Sequence, residues 1–264
     1  MEKIKRTLVS IGIFFVVQIV ITAIFIVAGM AQGMDLNTAV NSSLGQALLI
    51  SDLLVIVILL IIKYCSFKEL FKPVPADILL ISVVFALCGM FAVEIISSAF
   101  DIPNTLEEQF KAMAGTISGF LGICIVGPIM EEIIMRRVIL KEMEAATKSM
   151  WLGIIISSAL FAIIHVNPIQ VVFAMPAGIF LGWLYCKTGS LLVPICVHIL
   201  NNTISFITMS TGSDIEISLN STLGVVLLMT FTFITVVTGI WIVKYYANKE
   251  KELQGDSSTG KLVE

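Results

Sequence analysis

Charge is scarce in this sequence. Asp, Glu, Lys and Arg supply 13% of its 264 residues, against about a quarter in an ordinary soluble domain, and 58% are hydrophobic. Water is therefore not the main solvent. Histidine is scarcer still, with two residues, His165 and His198. Five cysteines, Cys65, Cys88, Cys124, Cys186 and Cys196, sit inside or at the ends of apolar stretches and form no C-x-x-C pair. That argues against a disulfide scaffold and against a thiolate metal site. The H-E-x-x-H helix of the zincins is absent, no repeat of fixed period is visible, and the C-terminal Lys261-Leu262-Val263-Glu264 offers no prenylation cysteine.

What remains is a succession of apolar runs, near Leu8–Met30, Leu44–Lys63, Ile78–Phe100, Ile117–Leu140, Trp151–Val166, Ile169–Cys186, Leu191–Met209 and Leu223–Tyr245. Most are long enough, at about 1.5 Å per helical residue, to cross a hydrocarbon layer of about 30 Å. A soluble helical core would show polar faces at helical spacing, and these runs show almost none. The sequence predicts an all-α, polytopic membrane protein with about eight transmembrane helices and the lipid bilayer as its surroundings; no nucleic-acid partner is expected. Met1-Glu2-Lys3-Ile4-Lys5-Arg6 resembles the start of a signal peptide, but the following run is too long and Ala28-Gly29-Met30 matches a cleavage site poorly, so a retained first span is expected.

Lys and Arg alternate between the connections. Lys3, Lys5 and Arg6, then Lys63, Lys68 and Lys72, then Arg136, Arg137, Lys141 and Lys148, then Lys187, then Lys244, Lys249 and Lys251 fall on one side if the runs alternate. Asp35, then Asp101, Glu107, Glu108 and a single Lys111, then Asp214 and Glu216 fall on the other. By the positive-inside rule both termini face the cytoplasm, in a multi-pass protein of the cytoplasmic membrane. Composition divides the chain into an N-terminal three-span region, 1–114, a chemically richer part, 115–246, and a tail, 247–264, expected to be disordered. Gly115-x-x-x-Gly119 and Gly178-x-x-x-Gly182 are small-residue spacings suited to close helix contact.

An ionisable group inside a bilayer costs about 2.5 to 3.5 kcal/mol on insertion scales, so each asks for a reason. Asp52 and Glu94 have no motif around them. Glu131-Glu132-Ile133-Ile134-Met135-Arg136 places Glu132 and Arg136 at i,i+4 in the favourable order, which leaves Glu131 unpaired; alone, this reads equally well as the solvated end of a helix. Pro128 should kink that helix and release a backbone carbonyl nearby. Both histidines fall in separate apolar runs, in Phe161-x-x-x-His165 and His198-x-x-x-Asn202, and Pro194 should bend the helix of the second. The runs on either side of Asn167-Pro168 read as a hairpin whose tip stays inside the membrane, bringing His165 towards the level of Glu131.

The order E-E-x-x-x-R, F-x-x-x-H and H-x-x-x-N on successive spans resembles the CAAX-protease and bacteriocin-processing (CPBP, or Abi) family of intramembrane proteases. The likeness runs from about Gly115 to Met209. It implies an intramembrane endopeptidase in which Glu131 and His165 hold and activate a water, His198 and Asn202 form an oxyanion hole, and Glu132, Arg136 and Phe161 support them, all around one polar cavity. It also leaves open a catalytic zinc held by Glu131, His165 and His198; without H-E-x-x-H, a metal-free glutamate mechanism is preferred. The expected substrate is a membrane-associated, leader or CAAX-type peptide. The alternatives are a non-catalytic immunity or scaffold protein of the same fold, and a transporter that uses these groups as a relay.

Overall fold

A computed structural model describes residues 2–211, 217 and 219–259. Asp214 and Glu216 lie outside the described residues. The chain forms α1 (Glu2–Ala31), α2 (Leu36–Ile61), a short α3 (Phe67–Leu70), α4 (Ala76–Ser97) and α5 (Glu107–Ala114). One long helix follows, from Ile117 to Thr147. It consists of α6 (Ile117–Phe120), a π-helical stretch (Leu121–Val126), α7 (Gly127–Glu132), a second π-helical stretch (Ile133–Leu140) and α8 (Lys141–Thr147). The last elements are α9 (Met150–Ile164), α10 (Pro168–Thr188), α11 (Leu192–Thr211) and α12 (Thr222–Thr259).

Polar caps mark where the helices begin. Asp35 accepts from the Thr38 amide at 3.1 Å, Ser66 and Glu69 form a capping box around α3, and Thr116 and Ser149 accept from the amides of Gly119 and Leu152. Each satisfies a donor that the first helical turn leaves without a partner. Pro168 opens α10 at a position that needs no amide hydrogen.

Among the described residues seven helices are long and apolar enough to cross a membrane. The eighth apolar run behaves differently. It becomes α9, of 15 residues, about 22 Å at 1.5 Å per residue and so short of the hydrocarbon thickness. With α10 it makes the expected hairpin, closed by Val166 at φ 60°. Gly178 and Gly182 let the two arms approach, since a Cβ at Gly178 would lie 3.0 Å from Ser158 Cα and one at Gly182 3.3 Å from Ile154. Gly115 has nothing within 4 Å of such a Cβ and serves no such contact. The stretch expected to be a disordered tail continues as helix through Thr259; its Lys, Glu, Leu and Gln residues are good helix formers. Pro194 does not interrupt α11, because it falls in the first turn, where a missing N–H costs nothing.

Two faces of the bundle follow from polar contacts between connections. On one, Arg6 pairs with Glu142 at 2.7 Å and lies 4.6 Å from the Tyr64 ring centroid. Arg137 pairs with Glu69 at 2.5 Å, and Lys72 donates to the Gly189 carbonyl at 3.1 Å. On the opposite face the Thr105 amide donates to Asn167 Oδ1 at 3.0 Å, and the Leu219 amide donates to Ser98 Oγ at 3.0 Å. The basic connections therefore share one end. The large apolar side chains left outside, such as Ile19, Val27, Met229 and Phe233, form the surface a bilayer would cover.

Two predictions follow from this packing. In a background without the native cysteines, a membrane-impermeant thiol reagent applied from one side will reach Gln32→Cys and Glu107→Cys but not Lys68→Cys or Lys141→Cys; equal labelling of all four would refute the sidedness. Burial pushes the Glu69 carboxyl up, but hydrogen bonds from Arg137 and Ser66 outweigh it and hold the group below its ordinary range. A depressed carboxylate contributes stability above its unfolded pKa and loses it as pH falls through the folded value. Glu69→Gln should therefore lower the melting temperature at neutral pH, with the deficit against wild type beginning to shrink only as pH falls below about 4.

Candidate active site

The glutamate pair of the long helix sits between its two π-helical stretches, and Arg136 lies within the second. At the first, the Gly127 amide bonds to the Gly122 carbonyl, five residues back. The same register would pair the next residue with the Ile123 carbonyl, but Pro128 has no hydrogen to give. Asn202 Nδ2 fills that place, donating to the Ile123 oxygen at 3.0 Å. The carbonyl expected to be released by Pro128 is thus satisfied by the asparagine of the third motif. Asn202 therefore clamps α11 against the long helix with part of its donor capacity.

Glu132 and Arg136 are wholly buried, with 0% side-chain exposure each, and Arg136 Nε lies 3.1 Å from Glu132 Oε2. The approach lacks hydrogen-bond alignment, and no guanidinium nitrogen has a hydrogen-bond partner among the described residues, so the contact is Coulombic. Phe161 covers the guanidinium, its ring centroid 4.9 Å from Arg136 Cζ. A cation over an aromatic face, shut away from water, is worth about 2 kcal/mol. The edges of Phe161 meet both imidazoles, with His165 at 4.8 Å and His198 at 5.8 Å between centroids.

Glu132 also reaches across to α11, where its Oε1 lies 2.9 Å from His198 Nδ1. A carboxylate paired with arginine can only accept, so Nδ1 carries the hydrogen and Nε2 is turned towards Glu131, 3.5 Å from its Oε2. His165 is fixed in the same way. Its Nδ1 lies 2.7 Å from the Phe161 carbonyl, which accepts, leaving Nε2 free to accept in the neutral ring. Of the two glutamates, Glu131 meets the outside, its side chain 21% exposed against 0% for Glu132.

The structure therefore brings Glu131, Glu132, Arg136, Phe161 and His198 into one cluster. His165 joins it through Phe161, and Asn202 adjoins through the Ile123 carbonyl. The space beside Glu131 is about 10 Å³ and is lined by Ile11 and Phe14 of α1, Met130, Ile134, Met135 and Ile164, room for about one water. A three-ligand zinc site does not fit this arrangement. Among the described residues no three His, Cys, Asp or Glu side chains converge as a ligand set, so Glu131, His165 and His198 do not jointly offer one. Sequence reasoning had no role for Asp52, which lies buried near this cluster and accepts from Gln18 Nε2 at 2.6 Å. Its only signal was an acid inside an apolar run.

Residues 113–204, which hold all three motifs, match the type II CAAX prenyl endopeptidase Rce1-like family. This match supports the likeness to the CAAX-protease family. The Bacillus subtilis (strain 168) protein named "Putative membrane peptidase YdiL" is 27% identical over 189 residues, covering 66% of this chain and 76% of its own. No solved structure matches the chain significantly. These matches support protease activity at a membrane in general terms.

The cluster makes a test of its own wiring. Glu132→Gln or Arg136→Met leaves a buried charge without its partner and should cost about 3 to 5 kcal/mol. The double variant Glu132→Leu/Arg136→Met removes both charges and should recover much of that loss. Thermal unfolding in detergent measures it, and a double variant worse than the sum of the singles would contradict the pairing.

Proposed function

We propose that this protein is an intramembrane endopeptidase in which Glu131 is the general base. The observation that carries the reading is the contrast between the two glutamates. Glu132 is spent on Arg136 and His198, whereas Glu131, beside room for a single water, has an oxygen free to take a proton. In the reaction, water gives a proton to Glu131 while its oxygen attacks the carbonyl carbon of the scissile bond. The C–N bond then breaks, and the proton passes from Glu131 to the leaving nitrogen. His165, with Nε2 as an acceptor, orients the water. His198, held at Nδ1 by Glu132, donates from Nε2 to the oxyanion when it carries a second proton, beside the remaining amide hydrogen of Asn202. Such donors contribute about 3 to 4 kcal/mol each.

The substrate is a membrane-associated, leader or CAAX-type peptide, and the apolar walls beside Glu131 suit a segment delivered from the bilayer. A prenylated chain is one member of that class. The basic face is cytoplasmic by the positive-inside rule, with both termini on that side.

Glu131→Gln should lower cleavage of a candidate peptide in membranes by about 10²- to 10⁴-fold, with unfolding temperature and membrane insertion unchanged. Full cleavage by the folded variant would place the base elsewhere. A chelator should leave the wild-type rate unaltered; loss of activity restored by added zinc would replace the metal-free mechanism with a metal-dependent one.

A further inference from the structure

Asp52 lies at the middle of α2 with 0% exposure. Gln18 of α1 donates to its Oδ1 at 2.6 Å, and Ser51 steadies that amide by donating to Gln18 Oε1 at 2.8 Å. Its other oxygen, Oδ2, has no hydrogen-bond partner among the described residues. No described cation comes within ion-pair distance of it. An unpaired carboxylate in hydrocarbon sheds its charge by taking up a proton, and since Oδ1 already accepts, the hydrogen resides on Oδ2.

That oxygen faces the active-site helix. A Cβ at Gly127 would lie 3.4 Å from Asp52 Oδ2, so the missing side chain opens the space through which Asp52 approaches. Gly127 and Glu131 are i,i+4 on α7 and share a face. Glu131 therefore lies on the face of α7 that Asp52 approaches.

We propose that Asp52 is a positioning residue for Glu131, a neutral carboxylic acid held by Gln18 whose Oδ2–H, directed past Gly127, steadies the Glu131 carboxylate. The inference rests on the peptidase reading for its kinetic test, and a spectroscopic test stands apart from that reading. It extends the site beyond the segment that carries the motifs, because α1 and α2 then supply part of the machinery.

Asp52→Asn keeps the acceptor for Gln18 and places an N–H donor where Oδ2 stands. Asp52→Leu removes donor and acceptor at similar size, and Gln18→Leu/Asp52→Leu removes the amide left unpaired by it. With the full chain in proteoliposomes and the peptide used to test Glu131, kcat per folded molecule should fall by about 10- to 100-fold in both leucine variants. KM should stay within about twofold, and Asp52→Asn should keep kcat within about threefold of wild type. Unchanged kcat in the leucine variants, a change in KM alone, or an Asp52→Asn loss equal to that of leucine would each overturn the proposal while the peptidase reading stands. Infrared spectroscopy of the folded protein supplies the independent readout. A carboxylic-acid carbonyl band absent from Asp52→Asn should shift in Glu131→Gln, and a band indifferent to Glu131 overturns the proposal. The shift seen in a protein that cleaves nothing would uphold the coupling and sink the peptidase reading instead.

Discussion

Arg136 is a full positive charge with no exposed surface, in a helix that a bilayer would surround. No water reaches it, so protein groups must do everything that water would have done. Glu132 supplies the opposite charge and Phe161 the face of its ring. Once those two are committed, little else is free to vary. Glu132 has one oxygen left, which sets the tautomer of His198, and Phe161 has two edges left, against which both imidazoles pack. The rotamers and protonation of the cluster descend from the need to neutralise one guanidinium. Neither partner of Arg136 need touch a substrate for its loss to undo the arrangement.

The α9–α10 hairpin ends early, and its buried tip residue Asn167 is tied to Asn104 and Thr105 of the connection before α5. The N-terminal helices are more than a scaffold, since α1 lends Ile11 and Phe14 to the wall beside Glu131 and Arg6 to the basic face. A reacting water would therefore sit between a polar cluster on the motif-bearing helices and an apolar wall partly contributed by α1, a boundary at which electrostatic interactions gain strength.

Whatever depends on distance along one helix could be read from the sequence. Apolar runs located the spans, i,i+4 spacing paired Glu132 with Arg136, and Asn167-Pro168 marked the hairpin tip. Whatever depends on how one helix is rotated against another could not. Nothing local to His198 says that its partner is Glu132, and Asp52 could be noticed as anomalous but not matched with Gln18, 34 residues away. Pro194 misled because a proline bends a helix only past its first turn, and helix starts are poorly marked in uniformly apolar sequence. The apolar wall beside Glu131 has a similar origin, since motif spacing collects polar groups without saying which apolar side chains of α1 pack against them.

The two π-helical stretches change how this chain should be lined up with its relatives. A π turn holds one residue more than the α turn it replaces, and it passes the helix on in register on either side. A relative lacking one residue between positions 121 and 126 could close that turn as ordinary α-helix and still present its glutamate pair where Glu131 and Glu132 stand. A gap between 127 and 132 has no such remedy, because it would rotate the carboxylates by about 100°. Alignment gaps in this helix therefore belong in the first π turn, and the stretch from Gly127 to Arg136 forms the block that must be kept whole.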